Sequence, residues 1–372
     1  MQRPYLLFTA VYLICLSGCS RKNETESRTF YLGVTPWPAD FTLAEVNKAY
    51  QFIRNDCDMV SHHFDDGIPY EEAFHAVPMP LKLREDVNFR KINTAPGKKI
   101  LLSVSALDLS RKQRAGYYTD TATGITDSML HFWRSAGFND PRIVTAYVNY
   151  VSYLVDQLQP DYVNYGVESN LDSWDPAQFV LYKSFLSQCY SRFKAAYPAL
   201  PFFVSFMVYE TPAALSLSGE LLPVTDFIGL SAYPYASVSS SANGNTDPAL
   251  FPTDYFRRFA DLDPSKPLVF AETAYIAEDL QLSSLSLNQQ GTEAWQQAYF
   301  EKVSAFCQQR KAVFLIWFCF KDYDAGTITL QSMGLFQDLF KLWEDTGLVD
   351  ENGRERLILQ SWRSWRRRVF QR

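Results

Sequence analysis

Apolar residues recur along the chain in eight short runs that are rich in β-branched and aromatic side chains. The runs cover residues 30–35, 58–62, 99–105, 161–167, 201–206, 226–231, 267–272 and 312–318. Within the runs the apolar positions are nearly continuous instead of alternating with polar ones, which is typical of strands buried on both faces of a sheet. The pattern therefore predicts eight buried strands.

The stretches between these runs favour helices. Residues 43–53 follow the capping residue Thr42, and residues 141–158 carry apolar side chains at helical spacing. Residues 177–197 follow Asp175-Pro176, a cap and a first-turn proline, and residues 289–309 form another long helical stretch. Eight alternations of strand and helix predict an α/β fold of the closed (β/α)8 TIM-barrel type. Because no internal repeat or Pro/Gly-rich linker divides the chain, residues 30–372 are expected to form one domain.

The N-terminal residues are expected to stand outside this barrel. Arg3 precedes an apolar run over residues 5–16, which is too short to span a bilayer comfortably and is typical of an export signal. The run ends in Leu16-Ser17-Gly18-Cys19, which resembles the bacterial lipobox, in which the cysteine is lipidated and becomes the mature N-terminus. The alternative is an ordinary secretory signal with a chance cysteine.

The lipobox interpretation divides this region in two. Residues 1–19 are predicted to be a lipoprotein signal peptide and residues 20–29 a polar tether that need not fold. The protein is then exported and held by its lipid anchor at the bacterial cell envelope, on the outer membrane or the cell surface.

Composition narrows the class of protein further. Of 372 residues, 47% are hydrophobic and 20% are charged, as expected of a globular chain with a full core. The aromatic fraction of 16% fits either a large core or a ligand groove lined with rings. The net charge of −6 argues against a nucleic-acid partner, because no basic excess is available to neutralise phosphates. The cysteines beyond the signal match no metal or redox spacing. Cys307 and Cys319 flank a helix-to-strand junction and could pair, but buried free thiols are the preferred expectation.

Two glutamates stand at the ends of predicted strands. Glu168 ends the fourth strand and Glu272 ends the seventh. The C-terminal ends of the strands form the catalytic face of (β/α)8 enzymes, and two carboxyl groups about 5–5.5 Å apart can cleave a glycosidic bond with retention. One such glutamate alone would fit a structural ion pair equally well. Two in one predicted barrel favour glycoside hydrolysis.

The segments around these glutamates resemble the clan A glycoside hydrolases. The segment 266–273, which contains Glu272, and Trp317 on strand eight carry this resemblance, together with the strand-four glutamate. The strand-six segment 226–234 is similar to that of the family 53 endo-β-1,4-galactanases, and the separation of 104 residues between the glutamates suits that family. The resemblance implies that Glu168 is the acid/base and Glu272 the nucleophile. It also implies that Tyr233 hydrogen-bonds the nucleophile and that Trp317 forms the floor of the subsite for the cleaved sugar.

One position departs from the clan pattern. The clan usually places an asparagine before the acid/base glutamate, where it binds the sugar 2-hydroxyl, and this chain has Val167 there. Asn164 or Asn170 is the candidate substitute. Trp37, at the tip of strand one, is a candidate second stacking platform.

Two histidines and two aspartates follow strand two. Neighbouring residues on a strand point to opposite faces, so His62 and His63 are not expected to share a metal ion. One of the two is expected to hydrogen-bond near the cleaved sugar, and Asp65 or Asp66 to line the cleft.

The sequence therefore predicts a retaining β-glycoside hydrolase that acts on a polysaccharide or oligosaccharide, with a β-galactan or a β-glucan as candidate substrates. It predicts no cofactor and no metal, a carbohydrate substrate, and a membrane contact through lipidated Cys19. A non-catalytic glycan-binding lipoprotein on the same scaffold is the alternative, kept open by Val167. A metal-dependent hydrolase would need more ligands than the chain's four histidines readily offer.

Overall fold

The computed structural model describes residues 26–118, 126–237 and 244–371. Eight parallel strands pair in sequence order, and the eighth pairs with the first, so they close a barrel. The strands are β1 (Tyr31–Val34), β2 (Met59–Phe64), β3 (Lys99–Val104), β4 (Tyr162–Gly166), β5 (Phe202–Met207), β6 (Ile228–Ala232), β7 (Leu268–Thr273) and β8 (Phe314–Trp317). All eight lie within or overlap the apolar runs, which confirms the predicted (β/α)8 barrel.

Helices connect the strands around the outside of the barrel. They are α1 (Leu43–Asp56), α2 (Tyr70–His75), α3 (Leu81–Asn93), α4 (Asp127–Ser135), α5 (Pro141–Leu158), α6 (Pro176–Ala196), α7 (Pro212–Leu221), α8 (Pro234–Ser237), α9 (Arg257–Ala260), α10 (Glu293–Arg310), α11 (Asp324–Ser332) and α12 (Leu357–Arg367). The side chains of Thr42 and Asp175 accept hydrogen bonds from the first turns of α1 and α6, as the sequence predicts. None of the helices in the described part of the chain is long and apolar enough to cross a membrane.

The barrel interior is apolar near the strand starts and polar near the strand ends. Large side chains such as Met59, Phe203 and Phe314 fill the lower part. Gly33 leaves room for them, because a Cβ atom there would lie 2.4 Å from Cγ of Met59. Two residues further along the strands, small polar side chains replace the large ones, among them Ser61, Ser103, Asn164, Ser205 and Ser231. This polar layer lies beneath the C-terminal rim of the barrel.

The fold begins earlier than residue 30. Ser27 and Arg28 pair as a short parallel strand with Val369 and Phe370. Arg28 is buried and forms an ion pair with Asp58 at 2.6 Å. The last residues of the segment assigned to a polar tether are thus part of the folded domain. The predicted signal peptide and Cys19 lie outside the described residues.

The four described cysteines are buried free thiols, as expected. The complete ring of barrel strands lies between residues 26 and 371, so a protein that begins at Glu26 contains the whole barrel.

Candidate active site

Glu168 lies just past the end of β4, where the chain turns sharply. Its backbone has φ +51°, a left-handed conformation that costs a residue with a side chain about 1–3 kcal/mol and that clusters at functional sites. Its N–H donates to Oγ of Ser205 at 3.0 Å, which holds the turn against β5. Its carboxylate accepts from Ser231 Oγ at 2.5 Å and from Arg111 Nε at 3.0 Å. The turn therefore aims a firmly held carboxylate at the barrel mouth.

Arg111 is a residue that the sequence analysis missed. It belongs to the loop after β3 and also has a left-handed backbone, with φ +58°. Besides Glu168, its guanidinium donates to Ser105 Oγ at 3.1 Å and lies 3.6 Å from Oδ2 of Asp65. Burial disfavours the charged form, but Glu168 and Asp65 outweigh this effect and raise the pKa of Arg111. No local motif marks it, because Arg111 and Glu168 are 57 residues apart in the chain and meet only when β3 pairs with β4.

Glu272 reaches the same mouth from β7. The pairing of β6 with β7 shifts by one residue between Leu230 and Ser231, so Ala271 is bulged and Glu272 takes the inward position beside Ser231. Tyr233 donates a hydrogen bond to Oε1 of Glu272, the contact that the resemblance implies. Burial, and then the negative charge of Glu272, raise the pKa of Tyr233 well above its usual range, so the phenol remains a donor.

His63 lies between the carboxylates of Glu272 and Asp65. Its Nδ1 lies 3.5 Å from Oε2 of Glu272, and its Nε2 lies 3.6 Å from Oδ2 of Asp65. Burial alone would lower the pKa of His63, but Asp65 and Glu272 outweigh it and raise that pKa. Contacts therefore run from Glu272 through His63, Asp65 and Arg111 to Glu168. Closure of the barrel brings both predicted glutamates into one charged cluster.

An open cavity of about 340 Å³ adjoins Glu272 and is walled by aromatic rings. The rings come from Trp37 after β1 and from Phe318, Tyr323, Phe340 and Trp343 after β8. The centroid of Phe318 lies 5.9 Å from those of Trp37 and Trp343, so the three rings form a continuous wall. The indole N–H groups of Trp37 and Trp343 are buried without a hydrogen-bond partner among the described residues.

The stacking role assigned to Trp317 is corrected by the structure. Trp317 is 0% exposed, and its indole N–H donates to the carbonyl of Thr346 at 2.8 Å. It packs between the barrel and α10, against Tyr299 and Phe300. Because side chains alternate along a strand, Phe318 is the residue that faces the mouth. Phe318, and not Trp317, therefore lines the cavity.

Three further residues that were predicted to bind the substrate lie away from the cavity. His62 is fully buried on the outer face of β2 and bonds Thr94 Oγ1 at 2.9 Å, so of the two histidines only His63 reaches the site. Asn164 donates to Ser205 Oγ at 3.1 Å and thereby supports the backbone of Glu168. Asn170 is 0% exposed and is bonded to Met207 and Ser218. These three side chains stabilise the surrounding structure through internal hydrogen bonds. Trp37, His63, Asp65 and Tyr233, in contrast, lie at the barrel mouth near the glutamates.

A separate acidic group lies behind β8. Glu278, Asp322 and Glu351 are the described residues whose ligand atoms come close enough to share an ion. Arg356 forms ion pairs with Asp322 and Glu278, so two of these three carboxylates already have a cationic partner within the protein. His63 and Asp65 are not among its members.

Comparisons with solved structures give the class of fold. An exo-β-1,4-mannosidase from Opitutaceae bacterium strain TAV5 is 15% identical with TM-score 0.59, over 92% of this chain and 60% of the mannosidase. A GH53 catalytic domain from Ignisphaera aggregans is 17% identical with TM-score 0.57, over 92% of this chain and 97% of that domain. A GH5_18 protein from Bifidobacterium longum subsp. infantis is 17% identical with TM-score 0.61, over 93% and 80% of the two chains.

These structures are clan A glycoside hydrolases, and this chain has their barrel fold. Identities of this size establish the fold and leave activity to be argued from the site. The chain spans less than two thirds of the mannosidase it matches. No protein-family model matches the sequence, and no curated protein sequence matches it.

Proposed function

We propose that this protein is an exported, lipid-anchored retaining β-glycoside hydrolase of the bacterial cell envelope that acts on a polysaccharide or oligosaccharide. The observation that carries the proposal is the charged cluster at the barrel mouth. The cluster contains Glu168 from the end of β4 and Glu272 from the end of β7, and it lies next to a cavity walled by aromatic rings. The barrel fold shared with the mannosidase and the GH53 domain supports the same reaction class.

In this reaction Glu272 attacks the anomeric carbon and forms a covalent intermediate. Glu168 first protonates the leaving oxygen and then accepts a proton from the attacking water. The hydrogen bond from Tyr233 and the proximity of His63 hold the nucleophile in one orientation. Arg111 has Asp65 as a second carboxylate at 3.6 Å, so its guanidinium stays paired when Glu168 takes up the proton.

The ring wall of the cavity supports a carbohydrate substrate. Sugar rings present C–H faces that stack on aromatic side chains, and the rings of Trp37, Phe318 and Trp343 line the cavity. β-Galactan and β-glucan are the candidate substrates from the sequence, and the likeness to the mannosidase adds β-mannosides.

The test is product release from β-galactan, β-glucan and β-mannan oligosaccharides by the protein beginning at Glu26. Glu168→Gln and Glu272→Gln should each abolish turnover, and the surface variant Glu220→Gln on α7 should not. NMR of the first-formed product should show the anomer of the substrate. Turnover that survives both active-site substitutions would contradict the assigned roles.

A glycan-binding protein without turnover is the second candidate. Two observations favour it: Val167 replaces the usual asparagine, and Arg111 occupies one oxygen of Glu168. Isothermal titration with the same oligosaccharides distinguishes the candidates. Binding that is unchanged by both glutamine substitutions, with no product from any glycan, would support the binding protein and refute the hydrolase.

A further inference from the structure

The end of the barrel opposite the candidate site carries a concave surface rich in arginine. Arg363, Arg366 and Arg367 of α12 line it together with Arg368 and the buried Arg28. The same depression is lined by Asp56 and Asp58, so arginines outnumber aspartates by five to two. We call this region the arginine surface. It is a local positive area on a protein whose net charge is −6.

The aspartates of the arginine surface are already engaged. Asp58 pairs with Arg28 at 2.6 Å and with Arg366 at 3.2 Å. Asp56 lies 3.4 Å from Arg363, which also contacts the exposed Glu355. With the exposed Glu355 and Glu26 included, five arginines face four carboxylates, so the remaining charge is +1. Arg367 is the exposed arginine outside these ion pairs among the described residues.

The start of the fold lies beside this surface. Ser27 pairs with Val369, and Glu26 forms an ion pair with Arg368 at 3.0 Å. Six residues separate Glu26 from Cys19. An extended chain advances at most about 3.6 Å per residue, so a lipid on Cys19 would lie within about 25 Å of the arginine surface.

The candidate site lies at the other end of the same strands. Asp58 precedes β2 at the arginine surface, and His63 and Asp65 follow at the end of that strand in the charged cluster. A membrane that contacts the arginine surface therefore leaves the cavity facing away from the lipid.

We propose that the arginine surface docks on anionic lipid headgroups and orients the barrel with its mouth away from the bilayer. Headgroup binding is a property of the folded domain itself, whereas the orientation in the cell rests on the proposed lipid anchor. Basic side chains close to an anionic leaflet each contribute to binding, and salt weakens that contribution.

The experiment measures co-sedimentation of the protein beginning at Glu26 with phosphatidylcholine vesicles, with and without 30% phosphatidylglycerol. We expect the partition coefficient to be at least tenfold higher on the anionic vesicles and to fall in 0.5 M salt. The double variant Arg363→Gln/Arg367→Gln should lose about tenfold of that coefficient, because each lost arginine contributes several-fold. Arg28 and Arg366 are left in place, since they neutralise Asp58.

The matched control is Arg134→Gln/Arg257→Gln, which removes two exposed arginines from α4 and α9. Melting temperatures of both double variants should stay close to that of the parent protein. Equal binding to both vesicle types, or an equal loss in the control pair, would overturn the proposal. Because no glycan enters this assay, its outcome is separate from that of the hydrolase test.

Discussion

The ion pair between Arg111 and Glu168 allows a quantitative test that needs no substrate. The two side chains are only 13% and 11% exposed, so the pair belongs to the buried class. Removing one partner of a buried pair leaves an uncompensated charge and typically costs about 3–5 kcal/mol. Arg111→Gln should therefore destabilise the protein by about 3 kcal/mol, the lower end, because Ser231 still donates to Glu168. Backbone strain cancels in the comparison, since glutamine meets the same left-handed φ as arginine.

The expected shift in melting temperature follows from chain length. Unfolding entropy is about 2.1 cal/mol/K per residue, or about 0.8 kcal/mol/K for 372 residues, so 3 kcal/mol corresponds to about 4 °C. The assay is thermal and urea unfolding of Arg111→Gln, Glu168→Gln and the double variant. If the pair is intact in solution, the double variant should be more stable than the sum of the single effects predicts, by at least about 1 kcal/mol.

The exposed pair Lys183–Glu220 is the matched control. Its side chains are 37% and 44% exposed, and such surface pairs contribute about 0–1 kcal/mol, so Lys183→Gln should change stability little. The reasoning is refuted if Arg111→Gln costs no more than Lys183→Gln and the double variant at the site is additive. That result would mean that the loop after β3 does not hold Arg111 against Glu168.

Three further predictions concern pH and the aromatic residues. The raised pKa of His63 means that its ion pairs stabilise the fold fully below about pH 6.5 and lose this effect as pH rises through the folded-state pKa. The stability difference between wild type and His63→Asn should therefore shrink from pH 6 to pH 9 in urea unfolding; a constant difference would exclude a charged His63. Burial, and then neighbouring carboxylates, raise the pKa of Asp345 to about 8, so wild type loses stability as pH rises from about 4 to 8. Asp345→Asn should melt higher than wild type at pH 9 and show a smaller gain at pH 5; the opposite trend would disprove the raised value. Trp317→Ala should cost about 3–5 kcal/mol through loss of core packing, whereas Phe318→Ala should weaken glycan binding at least tenfold with little change in melting temperature. Equal effects of the two substitutions on binding would contradict their different placement.

Strand-level features of this protein were predictable because they depend on local pattern. Near-continuous apolar runs specify strands buried on both faces, and capping residues such as Thr42 and Asp175 mark helix starts. The two glutamates were found by the same means, since Glu168 directly follows such a run and Glu272 ends one. The hydrogen bond from Tyr233 to Glu272 was implied by resemblance alone and is present in the structure.

Side-chain direction was less predictable, because it depends on pairing between strands. The bulge at Ala271 changes which residues of β7 face inward and brings Glu272 to the mouth. On β8 successive side chains point alternately outward and inward up to the end of the strand. Trp317 therefore faces α10, and Phe318 faces the cavity. A sequence motif assigns a role to a residue type, whereas strand register decides which neighbour occupies the position.

The amino-acid pattern is sufficient to predict the number, order and burial of the strands, the barrel they close, and the pair of carboxylates at its mouth. These features follow from hydrophobic periodicity and from the rule that parallel strands end on one side of a barrel. The folded structure was needed to show that Arg111 pairs with Glu168 and that His63 and Asp65 lie between the two glutamates. It was also needed to show that Asn170 and His62 are buried away from the cavity. These contacts join residues far apart in the chain, through loops and bulges whose geometry no local pattern encodes. Their energies depend on burial and distance, and both arise only when the barrel closes.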